Sequence, residues 1–243
     1  MKLPGFPVLL PVSSQVVAQV SVAASGSGNI VATCPSGSVV TGGGFAINPN
    51  LAIHNSSAHG NGWLASAQNL SGSAQGLNVY AECLANTKGT IQQVLNQGTL
   101  AASGAGQVVA NCPSGSVVTG GGFAGNANLT MHSDFASGNG WQVDAKNSSS
   151  SSQPLNAYAI CLSGTSGSSQ QVMNQVSAAA IGVGHALAAC PSATFLTGGG
   201  FAGNENLFFY SESASGSSWQ VYANNNSGSS EPVNSYAICL KLP

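Results

Sequence analysis

Cys34-Pro35-Ser36-Gly37-Ser38-Val39-Val40-Thr41-Gly42-Gly43-Gly44-Phe45-Ala46 returns unchanged as residues 112–124, and returns again as residues 190–202 with changes only before its Thr-Gly-Gly-Gly-Phe core. The step is 78 residues each time. It holds beyond this stretch: Trp63, Trp141 and Trp219 keep it, as do Tyr80, Tyr158 and Tyr236, without insertion or deletion. Self-similarity at a fixed period marks one supersecondary unit written three times. The units run over residues 13–90, 91–168 and 169–243, behind an arm of residues 1–12. Pro-Ser-Gly is turn chemistry, and three consecutive glycines in a strand context predict a bulge, a bend or close backbone contact. A phosphate-binding glycine loop would need a following Lys-Ser/Thr and a helix, and the sequence offers neither.

Each repeat opens with a β-rich segment such as Gln15 to Val20, then a Gly/Ser turn at Gly26 and Gly28, which predicts a hairpin into the strand before the first cysteine. Trp141 to Asn147 alternates apolar and polar residues, the pattern of a half-exposed strand. In the last strand Leu155, Ala157, Ala159 and Cys161 share one face, which puts the cysteine in the core. No stretch has sustained helical periodicity. The expected fold is all-β: three tandem antiparallel β-sandwich-like repeats of five to seven strands each, packed either as beads or around a pseudo-threefold axis. Linkers of about ten residues, such as 84–93, favour the compact arrangement.

Units of this length bury little apolar surface and call for a staple. The six cysteines supply one per repeat: Cys34 with Cys83, Cys112 with Cys161, Cys190 with Cys239 is the pairing that treats all three alike. Each bridge would contribute about 4 kcal/mol in the chain-entropy picture, and such bridges imply an oxidising, extracellular or cell-surface compartment.

Charge is nearly absent. The basic residues are Lys2, Lys88, Lys146 and Lys241, arginine is missing, and only six residues are acidic. A nucleic-acid partner is not expected without a basic footprint. Near-zero charge removes colloidal repulsion, so the surface is either covered by sugars or built to associate. The arm, Met-Lys-Leu-Pro-Gly-Phe-Pro-Val-Leu-Leu-Pro-Val, is too short to span a membrane and its prolines spoil a signal-peptide helix. It reads either as a disordered end or as an extended, exposed apolar arm able to dock along a neighbouring copy as an added strand.

Cys-Pro-x-Gly, Val-x-Thr-Gly-Gly-Gly-Phe, Gly-x-Trp or Ser-Trp, Asn-x-Ser and Tyr-Ala-x-Cys together resemble a β module of secreted bacterial proteins, often found at the ends of extracellular, sometimes collagen-like chains. The resemblance covers nearly the whole chain, three times. It implies an extracellular β fold and brings no catalytic motif. Collagen-like stalks are trimeric, so three modules in tandem would imitate that trimer in one chain.

Candidate sites are few. His54 and His132 are equivalents, but Tyr210 takes their place in the third repeat, and His59 corresponds to Ser137 and Ser215. Two histidines do not make a metal site, which wants three or four ligands. Asp134 matches Ser56 and Glu212, Asp144 stands alone, and Glu82 matches Ile160 and Ile238, so no repeated carboxylate pair emerges for acid–base chemistry. Trp63, Trp141 and Trp219 are either core anchors or platforms for stacking on a sugar ring. Asn55, Asn69, Asn128, Asn147 and Asn225 begin N-glycosylation sequons. The expectation is therefore a non-enzymatic extracellular structural protein without cofactor or metal, whose partners are copies of itself, with a lectin-like adhesion module as the alternative.

Overall fold

The computed structural model describes residues 10–243, so most of the apolar arm, residues 1–9, lies outside the described residues. The first repeat supplies β1 (Val12–Val22), β2 (Ser27–Thr33), β3 (Ser38–Ile47), β4 (Leu51–Ala58), β5 (Gly62–Asn69) and β6 (Gln75–Ala85). The second supplies β7 (Thr90–Leu100), β8 (Ala105–Asn111), β9 (Ser116–Ala124), β10 (Leu129–Ala136), β11 (Gly140–Asn147) and β12 (Gln153–Ser163). The third supplies β13 (Ser168–Ala178), β14 (Val183–Ala189), β15 (Phe195–Ala202), β16 (Leu207–Ser215), β17 (Ser218–Asn225) and β18 (Glu231–Lys241). The all-β expectation holds, with six strands per repeat.

The sheets do not coincide with the repeats. Each repeat forms two three-stranded half-sheets, and each half-sheet is completed by one from a neighbour. The three sheets run β1-β6-β3-β16-β17-β14, β2-β5-β4-β9-β12-β7 and β13-β18-β15-β10-β11-β8, all antiparallel. The result is a three-sided prism with pseudo-threefold symmetry. The joints are short: Glu212 pairs with Phe45 and Ser211 with Ala46, Ser56 with Phe123 and Asn55 with Ala124, Asp134 with Phe201 and Ser133 with Ala202.

The turn expected near Gly26 forms, with the Gly26 N–H donating to the Ala23 carbonyl at 3.0 Å. The hairpin expected there does not, because β1 pairs along its whole length with β6 while β2 pairs with β5. The connection is a corner of the prism. Gly28 makes the sharp corner feasible, since a Cβ there would sit 2.8 Å from a Val22 methyl.

Alternation in sequence becomes alternation in burial. In β11, Trp141, Val143, Ala145 and Asn147 point inward while Gln142, Asp144 and Lys146 face out. One core runs through all three repeats, with a smaller cluster of Leu84, Leu162 and Leu240 closing one end of the axis. The disulfides join Cys34 to Cys83, Cys112 to Cys161 and Cys190 to Cys239, with Cα separations of 5.7, 5.6 and 5.5 Å. That is the pairing within repeats expected from their spacing, and it suits an oxidising environment. Among the described residues, no helix is long and apolar enough to cross a membrane.

Candidate functional site

The Thr-Gly-Gly-Gly-Phe stretches of β3, β9 and β15 meet on the axis, and each glycine answers to a different neighbour. Thr41 Oγ1 donates to the Thr197 carbonyl at 2.8 Å, Thr119 Oγ1 to the Thr41 carbonyl at 3.0 Å, and Thr197 Oγ1 to the Thr119 carbonyl at 2.8 Å. The three threonines close a cyclic clasp. Each is skipped in the ladder to β6, β12 or β18, the bulge that the glycine run predicted. The first glycines crowd the axis, where a Cβ on Gly42 would lie 2.6 Å from the Thr197 carbonyl and 2.8 Å from the Gly198 Cα. The second glycines, Gly43, Gly121 and Gly199, lie against the indoles of Trp63, Trp141 and Trp219. The third, Gly44, Gly122 and Gly200, touch the backbone of Glu212, Ser56 and Asp134 across the sheet joints. The motif is an assembly device for three sheets.

The tryptophans are wholly buried, each with 0 % exposure. The sugar-stacking alternative expected for Trp63, Trp141 and Trp219 is corrected by this finding, because no indole face reaches solvent. Their partners are the joint residues: Trp63 Nε1 donates to Ser56 Oγ at 2.9 Å, and Trp141 Nε1 donates to Asp134 Oδ1. Glu212 lies against Trp219, but among the described residues its Oε2 and the Trp219 Nε1 find no hydrogen-bond partner. Burial pushes the Asp134 carboxyl up to about 8, against the hydrogen bond from Trp141 and with a further push from Asp144. Burial pushes Glu212 well up too, helped by the nearby Asp134. Asp134 is therefore a protonated core acid in mildly acidic water, and burial disfavours the charged form of Glu212 in the same way.

The other candidates are scattered. His54, His132 and Tyr210 are the bulge residues beside the three joints, one in each sheet. The backbone carbonyls of His54 and His132 accept the N–H of Gly125 and Gly203, at 2.8 and 2.9 Å, which extends the joints. Burial lowers the pKa of both histidines. His59 lies in the turn after β4, and its N–H donates to the Gly62 carbonyl. Asp144 accepts from the Gln142 amide on the outer face. Glu82 is buried beside the edge strand, where its Oε1 accepts from Gln15 Nε2 at 2.8 Å and burial pushes its carboxyl up to about 7. It lines a cavity of about 210 Å³ with Ser13, Ser14 and Leu196. Among the described residues, no group of three or more His, Cys, Asp and Glu side chains is placed to hold a metal ion.

Three of the five sequons have a structural use. Asn147 Nδ2 donates to the carbonyls of Leu100, Ala101 and Ser151, while its Oδ1 accepts from the N–H and hydroxyl of Ser149. Asn69 and Asn225 make the equivalent sets. Their amides are buried and fully engaged, so the glycan acceptor reading is corrected there. The Asn-x-Ser pattern is an Asx turn that locks a loop.

What the molecule presents outward is edge and end. β1, β7 and β13 are edge strands of 11 residues each. At equivalent positions they expose Val17, Leu95 and Met173 to between 55 and 59 %. The 78-residue step makes this row visible in sequence, but only topology reveals that its strands lie at edges. The end where Leu84, Leu162 and Leu240 cluster is here called the base. It carries the exit of the arm, where Asn86 Nδ2 donates to the Leu10 carbonyl, and a depression of about 360 Å³ lined by Pro11, Thr87, Thr165 and Leu242. At the opposite end, the apex, Ile53, Met131 and Phe209 are threefold equivalents lining an apolar hollow of about 220 Å³. Comparison with protein-family models and with curated proteins finds no match for this chain.

Proposed function

We propose that this chain is a non-catalytic extracellular structural protein whose copies assemble into a filament, sheath or surface layer. The observation that carries this reading is the condition of β1, β7 and β13. They are long, regular edges with no bulge in their ladders, no proline, no charged residue and an exposed apolar side chain at mid-strand. Proteins that stay apart blunt such edges with lysine, proline, bulges or a covering element. Here lysine, proline and bulges are missing from all three, and what borders them is the shorter edge strand of the next sheet at each corner, β2, β8 or β14, held at two corners by Asn96 and Asn174 donating to the Val109 and Leu187 carbonyls. The near absence of charge supports the same reading, and the disulfides support an extracellular place for it.

The test is electron microscopy of the non-reduced natural protein beside the triple variant Val17→Lys, Leu95→Lys, Met173→Lys. Ordered filaments or sheets are expected from the natural protein and dispersed particles from the variant, with unchanged melting. Dispersed particles from the natural protein would overturn the reading.

A carbohydrate-binding alternative is favoured by a different feature from the tryptophans. On the outer face of the first sheet, His185 stacks on Tyr222 with ring centroids 4.1 Å apart, and Tyr210 follows at 6.0 Å. Binding to a glycan that is lost in Tyr222→Ala with folding intact would support it.

A further inference from the structure

The apex hollow and Leu10, the first described residue, lie at opposite ends of the axis, and the hollow and the arm's sequence are both apolar. β3 starts beside the leucine cluster at the base and ends at Ile47, so Leu51 and Ile53 of the next strand lie a strand's length away, about 30 Å. β1 runs from base to apex, since Val12 pairs with Ala85 and Val22 with Gln75. Leu10 and Pro11, just before Val12, therefore lie at the end away from their own apex. Leu10 is 75 % exposed where it leaves the base.

The hollow is built by symmetry and then broken by sequence. Ile53, Met131 and Phe209 ring it, with Leu129 and Phe208 beside them and Leu70 at its margin. Leu70 is 68 % exposed, whereas Ser148 and Asn226 stand at its equivalents. Ile181, in the apex turn between β13 and β14, is 75 % exposed where its equivalents are Ser25 and Ser103. Ile181 stands apart from the lining, whereas Leu70, an unshared apolar side chain at the margin of an apolar hollow, fits the composition of a docking surface. The space admits one or two side chains and not a whole strand.

We propose that the apex hollow receives the arm of a second copy, with Phe6 as the inserted side chain and Leu3, Val8 and Leu9 covering the margin around Leu70. This rests on the self-assembly reading and names its axial contact. Nine residues reach about 30 Å when extended, enough to enter a neighbour stacked on the base. Reaching its own apex would require the arm to reverse and then run the full height of the prism. Pro4 and Pro7 favour an extended arm, which lowers the ordering cost. A contact between two different surfaces of the same chain does not close on itself, so repetition gives a filament along the axis.

The test places a photo-crosslinking benzoylphenylalanine at position 6 of the full chain and maps the product by mass spectrometry in a mixture of isotope-labelled and unlabelled protein. Crosslinks between copies, onto Ile53, Met131 or Phe209, are expected. Thr130→Arg, at an exposed position on the hollow wall, should reduce them at least tenfold with melting unchanged. Crosslinks within one copy, or onto β1, β7 or β13 of a neighbour, would overturn the proposal. Filaments that persist unchanged in Phe6→Asp would overturn the arm contact and leave self-assembly standing. A protein that stays dispersed, while a synthetic peptide of residues 1–12 still binds and is lost in Thr130→Arg, would remove the array and keep the arm–apex contact.

Discussion

Gly121 lies so close under the indole of Trp141 that one added methyl group would overlap the ring at Cγ and Cδ2 and also strike the Tyr158 carbonyl. The tryptophan can be buried in a thin sheet only because the strand beneath it has no side chain there. The same arrangement joins Gly43 to Trp63 and Gly199 to Trp219.

Gly121→Ala is therefore expected to cost about 3 kcal/mol or more, since both obstacles are fixed parts of the core. Gly72→Ala, where a Cβ meets nothing within 4 Å, should be nearly neutral. Urea denaturation of the non-reduced proteins measures both. Equal midpoints would refute the account of the motif.

Thr119→Val should cost about 1 to 3 kcal/mol, because it keeps the shape and removes the hydroxyl that serves the Thr41 and Ile160 carbonyls. Thr119→Ser should restore most of the loss. If valine and serine behave alike, the clasp contributes through packing and not hydrogen bonding.

Stability should fall as pH rises from about 4 to 8. Glu82 and Asp134 are raised in the folded protein to about 7 and about 8, so their contribution is complete below their unfolded values and is lost as pH passes the folded ones. His54 and His132, lowered by burial, work in the opposite sense as pH falls below about 6.5, and being only half buried they offset part of this. Glu82→Ile, the residue used in the other repeats, should flatten the profile and raise stability at pH 8 by on the order of 3 kcal/mol. Thermal melts across this range read it directly, and a profile unchanged by the substitution would contradict the buried position of Glu82.

Asn147→Asp should loosen the loop after β11 and cost about 2 kcal/mol, since it replaces an amide that donates to three carbonyls. When the chain is secreted from a glycosylating host, the folded fraction should carry no sugar at Asn69, Asn147 or Asn225. Peptide mass spectrometry decides this, and full occupancy at those positions in folded protein would be incompatible with the Asx turns.

Strand content, disulfide pairing and the inward faces of β11 and β12 were legible because they are local: periodicity two and a 49-residue spacing express them. The partition of strands among sheets was not. A turn at Gly26 looks the same whether its strands pair with each other or with β6 and β5, and only those two ladders, formed with Gln75 to Ala85 and Gly62 to Gln68 further along the chain, decide between them. The Thr-Gly-Gly-Gly run pointed to a close approach without naming its partner, because the partner is the same motif in another repeat. Conversely, Asn-x-Ser carried a familiar chemical meaning that burial overrides, and the tryptophans gave no sign of the glycines that cover them.

The pairing of Glu212 with Phe45 links the last repeat to the first across most of the chain. As the polypeptide leaves the ribosome or a translocation channel, the first two repeats can complete the sheet they share, yet β3 must wait with one side bare until β16 arrives. The loop closed by that final joint is long and its entropic cost comes late, so ring closure should be the slow step of folding. During that interval an unfinished chain can also accept the third repeat of a different molecule, so the concentration of nascent chains, set against the effective concentration of the tethered repeat, governs whether closed rings or exchanged oligomers accumulate.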